Sequence, residues 1–114
     1  MDVERGLVTE TYEVARKYWQ NTGQVFGECY ANTWIGEVYR QAQRYDDAER
    51  SFSTIEATYK TMGAPFEDVA AQGLAEVRAR LARLYADQGR DTEAAFYRQQ
   101  AASGGIAEAS EWPA

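Results

Sequence analysis

Residues 36–52 read GEVYRQAQRYDDAERSF, and the glycine at the head of this stretch decides the fold. A glycine inside a helix costs on the order of 1 kcal/mol relative to alanine. Gly36 nevertheless stands among helical signals. Trp34, Ile35, Val38 and Tyr39 recur around it at helical spacing, and Ala48, Phe52, Ile55 and Tyr59 do the same further on. Some contact must offset the glycine. A backbone cradle for phosphate would need a glycine-rich loop or a phosphate-binding lysine beside it, and the sequence has neither. A packing notch is the remaining reading. Gly36 and Ala48 would face each other across a helical hairpin, bringing two backbones close while Tyr39 and Phe52 interlock around them.

The rest of the chain supports helices. At 114 residues it is expected to form one domain with one core. Alanine, glutamate, arginine and glutamine dominate, only two prolines occur, and valine, isoleucine and threonine never alternate in a run, so an all-α fold is expected. The net charge of −6 disfavours nucleic acid and anionic membranes as partners. No basic start leads into an apolar run and no eighteen-residue apolar stretch occurs, so no signal peptide or membrane span is expected and the cytoplasm is the expected location. Histidine is absent, which removes His-containing triads and mixed Cys/His metal sites. No cofactor, metal or small-molecule substrate is expected. The lone Cys29 cannot pair within the chain and reads as a buried, inert thiol.

Turn signals divide the chain at Asn21-Thr22-Gly23, Arg44-Tyr45-Asp46, Gly63-Ala64-Pro65, Gln88-Gly89-Arg90-Asp91 and Gly104-Gly105. Five helices are predicted between them, over residues 3–21, 26–42, 46–62, 66–87 and 91–102. The third carries an apolar seam of Tyr45, Ala48, Phe52, Ile55, Tyr59 and Met62, and the fourth one of Ala70, Leu74, Val77, Leu81 and Leu84. Steps of three and four make such seams seek a neighbouring helix, and short connections make sequence neighbours antiparallel.

The chain also repeats itself. Ala15 followed by Trp19, Ala48 followed by Phe52, and Ala94 followed by Tyr97 each lie three residues after a turn or helix start. The alanines are separated by 33 and then 46 residues. Ile35-Gly36, Tyr39, Ala48 and Phe52 fit the spacing of the tetratricopeptide repeat, which the chain resembles over about residues 10–102. Leu81-Ala82, Tyr85, Ala94 and Ala101 form a weaker copy, with alanine for glycine and Arg98 where that family has an aromatic. MGAPFEDVA and LARLYADQGRDTEAAFY look like the longer repeats of the kinesin-light-chain type. Asn32 departs from the family's usual tryptophan and Ile55 from a small alanine.

The resemblance implies a short α-solenoid over residues 1–103, comprising a half repeat 1–23, a repeat 24–62 and a longer repeat 63–103, with a flexible or capping tail at 104–114. It also implies a non-catalytic module that binds a peptide or helix of a partner protein in a groove. Carried onto this sequence, that groove would hold Tyr30, Thr33, Glu37, Arg40 and Gln41 from one repeat and Glu76, Ala79, Arg80, Arg83 and Asp87 from the next. Arg40, Arg80 and Arg83 could form a basic strip for a partner's carboxylates, or simply pair with Glu37, Glu76 and Asp87 one turn away. The match to the family's carboxylate-clamp positions is poor. Most of the aromatic group Tyr18, Trp19, Phe26, Tyr30 and Trp34 is expected in the core between the first two helices, with the remainder an exposed anchor patch. Asp46-Asp47 and Glu67-Asp68 sit at predicted helix starts, where acids complement the dipole, and are not read as a catalytic pair. Alternative functions are a self-associating assembly domain forming a homo-oligomer and a secretion-type chaperone built from such repeats. Trp112 falls where a further repeat would begin.

Overall fold

A computed structural model describes residues 2–103, with side chains described from Glu10 onward. Over this span the chain is all-α: α1 (Asp2–Asn21), α2 (Val25–Gln41), α3 (Tyr45–Lys60), α4 (Glu67–Asp87) and α5 (Asp91–Ser103). The boundaries fall within two residues of those predicted. The expected tail and Trp112 lie outside the described residues. The chain divides into two compact units, Met1–Thr54 and Ile55–Ala114, with α3 contributing to both.

Three of the four connections share one geometry. After α1 the Gln24 amide donates to the Trp19 carbonyl (2.7 Å) and the Gly23 amide to the Gln20 carbonyl (3.3 Å). After α2 the Arg44 amide donates to the Tyr39 carbonyl (2.9 Å) and Gln43 to Arg40 (3.0 Å), and after α4 Arg90 donates to Tyr85 (2.9 Å) and Gly89 to Ala86 (3.0 Å). These are Schellman closures, which satisfy the last carbonyls of a helix and require one residue in the left-handed region. Gly23 (φ 71°), Gln43 (φ 61°) and Gly89 (φ 71°) supply it. Reversal within so few residues leaves the joined helices antiparallel, and α1 packs on α2 and α4 on α5.

The turns after α2 and α4 match in their side chains as well. The Arg44 guanidinium lies 4.7 Å from the centre of the Tyr39 ring and Arg90 lies 4.4 Å from that of Tyr85. Arg44 pairs with Asp47 at 2.7 Å and Arg90 pairs with Glu93. Each member of the second set stands 46 residues after its counterpart. Arg90 holds the exposed Glu93 carboxyl below the ordinary carboxylate range through their hydrogen bond. Any stability this adds is complete above the unfolded carboxylate's range and is lost as acidification passes the lower folded value. A carboxyl-resolved NMR titration is expected to show Glu93 titrating low, and to return it toward the usual range in Arg90→Gln. Gln43 is the odd member of the three turns, because a left-handed non-glycine residue costs about 1–2 kcal/mol. Gln43→Gly is therefore expected to raise stability by about 0.5–1 kcal/mol, the relief being partly offset by the greater chain entropy of glycine; chemical denaturation measures it.

In the first unit Cys29, Ala31, Ile35, Ala48 and Phe52 are buried. A Cβ placed on Gly36 would stand 2.5 Å from a ring carbon of Phe52, and one on Gly27 would stand 2.5 Å from the Trp19 indole. The two glycines are nine residues apart, and at about 100° per residue that places them on opposite flanks of α2. Helix α2 thus receives one ring from α1 and another from α3. Tyr39 is half-buried.

In the second unit the buried set is Ile55, Ala70, Ala75, Val77, Ala79, Leu81, Ala82, Leu84, Tyr85, Ala94 and Ala101. Gly73 repeats the notch, with the Tyr59 ring 2.5 Å from where its Cβ would be. Ala82 follows nine residues later, as Gly36 follows Gly27. Tyr85 stacks on Tyr97 at 5.4 Å and 37°, tying α4 to α5. The half-buried Arg78 donates from Nε to Glu56 at 3.1 Å, tying α4 to the end of α3.

Candidate functional site

Helix α2 can expose a face because its core contacts need only two flanks and a few small or aliphatic side chains. Ala31, Ile35 and the two glycine notches supply those contacts. Phe26, Tyr30 and Trp34, spaced four residues apart, are left 40, 54 and 38% exposed. Residues four apart are neighbours on one helix face, so the three form a row. Tyr30 is its centre, meeting Tyr12 (6.5 Å, 63°), Trp19 (6.3 Å, 88°) and Trp34 (6.3 Å, 72°) edge to face. Such ring pairs contribute about 0.5–1.5 kcal/mol beyond their buried area, which orders the row without covering it. The core expectation for this aromatic group is therefore corrected. Of its five members only Trp19 is half-buried, and Tyr18 is 62% exposed.

The polar residues flanking the row are already engaged. The Thr33 hydroxyl donates to the Cys29 carbonyl at 2.9 Å. Glu37 is buried and accepts from Arg40 Nε (3.2 Å) and Nη2 (3.0 Å). Of the five α2 positions named from the sequence, Tyr30 and Gln41 are exposed, Thr33 and Arg40 half-buried and Glu37 buried. Arg40 thus belongs to an intrahelical ion pair. On α4, Glu76, Arg83 and Asp87 are exposed, Arg80 is half-buried and Ala79 is buried. Gln72 Nε2 approaches Glu76 at 3.5 Å. Arg40 lies in the first unit, Arg80 and Arg83 in the second.

The 46-residue repeat supplies a comparison within the molecule. Counted along it, Phe26, Tyr30 and Trp34 correspond to Gln72, Glu76 and Arg80. The same helix position is aromatic in one hairpin and polar in the other. Comparison with protein-family models, with curated proteins and with solved structures finds no match to this chain.

Other features offer less chemistry. A cleft of about 260 Å³ between α4 and α5 is lined by Ala71, Leu74, Ala75, Arg78, Gln100 and Ser103, and its one charged group is tied to Glu56. Among the described residues no group of three or more His, Cys, Asp or Glu is placed to hold a metal ion, and no helix is long and apolar enough to cross a membrane. The sequence puts Phe26 and Trp34 in the aromatic group between the first two helices and not among the expected partner-binding residues. Their four-residue period with Tyr30 is the sequence signal that marks one helix face.

Proposed function

We propose that this chain is a tetratricopeptide-like, non-catalytic interaction module that binds a peptide or helix of a partner protein through the aromatic face of α2. The Gly36–Phe52 notch and the twice-repeated Tyr–Arg–acid turn support the family reading. The functional reading rests on one observation: an exposed aromatic row occupies a position that the other hairpin fills with Gln72, Glu76 and Arg80. A fold that accepts polar side chains there does not itself call for three aromatic ones, and exposed, partly ordered aromatics are the usual anchors of binding surfaces.

The test is selection of a random linear-peptide library on the intact protein, with counter-selection on the Phe26→Gln/Tyr30→Glu/Trp34→Arg variant. Enriched families that bind only the unsubstituted chain are expected. Families that ignore the substitutions, or no enrichment at all, would overturn the reading. Contact between copies is the second use such a row could serve. Light scattering over a concentration series separates the two, since a monomer at every concentration removes self-association.

A further inference from the structure

We infer that the element recognised by the aromatic row is a short amphipathic helix with apolar side chains at i, i+4 and i+8; this rests on α2 being the docking face. The first argument is register. Tyr30 and Trp34 have their ring centres 6.3 Å apart, and an α-helix advances about 6 Å over four residues, so successive apolar side chains on one side of a helix meet successive rings. A polyproline II segment returns to the same side only every third residue, about 9 Å along, and falls out of step after one ring. An extended strand advances about 6.6–6.8 Å over two residues, which is close to register. Its amides and carbonyls would find no hydrogen-bonding edge on a helix face, whereas a helix satisfies its own backbone.

Area argues against a second copy of this chain as the occupant. An aromatic side chain carries about 150–250 Å² of surface, so rings 40, 54 and 38% exposed present on the order of 250 Å². A standard interface between folded proteins buries about 800 Å² on each side. The row therefore suits a short segment with a few anchors. Charge agrees: Thr33 is turned to its own backbone and Glu37 and Arg40 neutralise each other, so these three flanking side chains of α2 add no net charge beside the rings. An uncharged, apolar helix stripe is the matching surface.

The probe is a stapled thirteen-residue Ala/Glu/Lys helix with leucines at its second, sixth and tenth positions, titrated into the full-length isotope-labelled chain by NMR. Two controls carrying the same three leucines accompany it: a stapled helix with leucines five apart, and an unstapled peptide with alternating leucines. Saturable shifts at residues 26–34 and at the Trp34 indole are expected with the first peptide, and binding at least about tenfold weaker with the others. Equal or tighter binding of the alternating peptide, or no saturation with the first, would overturn the inference. A library selection that yields row-dependent but extended or proline-rich families would remove the helical partner and leave the interaction module standing. A selection indifferent to the row would remove the module itself.

Discussion

Phe52→Ala is expected to destabilise the chain by about 3–5 kcal/mol, read as a fall in the denaturant midpoint with unchanged slope. Phe52 is fully buried, and one wall of its pocket is the bare backbone at Gly36. Backbone cannot reorient to fill a lost ring as a side chain can, so the cavity should persist and the cost should lie toward the upper end of that range. The converse change tests the same contact from the other side. At Gly36 a Cβ would already stand 2.5 Å from the ring. Gly36→Leu should therefore destabilise by about 1–3 kcal/mol through overpacking, despite the better helix propensity of leucine. A Gly36→Ala/Phe52→Leu pair should be less damaging than the sum of its members, with a coupling of about 0.5–3 kcal/mol. Unchanged stability in Gly36→Leu would show that Phe52 does not press on the backbone at Gly36. Against a total stability of about 5–15 kcal/mol typical of domains, either change is large.

The notch at Gly36 was legible in the sequence because Ala48 and Phe52 follow it across one short turn. Gly27 and Gly73 use the same device, but their rings come earlier in the chain, from Trp19 and Tyr59, so no residue that follows them in the sequence signals the contact. The sign that would have found them is a pair of small residues nine apart in one helix, at Gly27 and Gly36 and again at Gly73 and Ala82. Such a pair marks the two flanks that neighbouring helices press. Helix ends were legible where glycine marks the turn, at Gly23 and Gly89. The left-handed Gln43 was not, since its side chain gives no hint of that conformation. The aromatic group lies largely outside the core for a physical reason as well. Hydrophobicity states that burying a ring is favourable, and it does not state that a place inside exists. In α2 the interior places are taken by Ala31, Cys29 and Ile35, and Tyr30 and Trp34 remain outside.

Exchanging the row for its own repeat counterparts, Phe26→Gln/Tyr30→Glu/Trp34→Arg, should separate function from fold. Tyr30 loses edge-to-face contacts with Tyr12, Trp19 and Trp34, while the new acid and arginine stand four residues apart, a spacing that returns about 0.2–0.5 kcal/mol. A net loss of about 1–3 kcal/mol is expected, less than for Phe52→Ala, and the chain should remain helical and melt cooperatively. Binding of any row-dependent peptide should fall by about 2 kcal/mol or more, which is roughly thirtyfold, because the substitutions remove the anchors and put charges where an apolar stripe must lie. Thermal melting followed by circular dichroism and peptide titration of the same sample give both numbers. A variant that keeps its affinity would place the partner on another face. One that fails to fold would show that the rings are held by the core after all, because the polar residues of the other hairpin would then be tolerated only by α4 and its own surroundings.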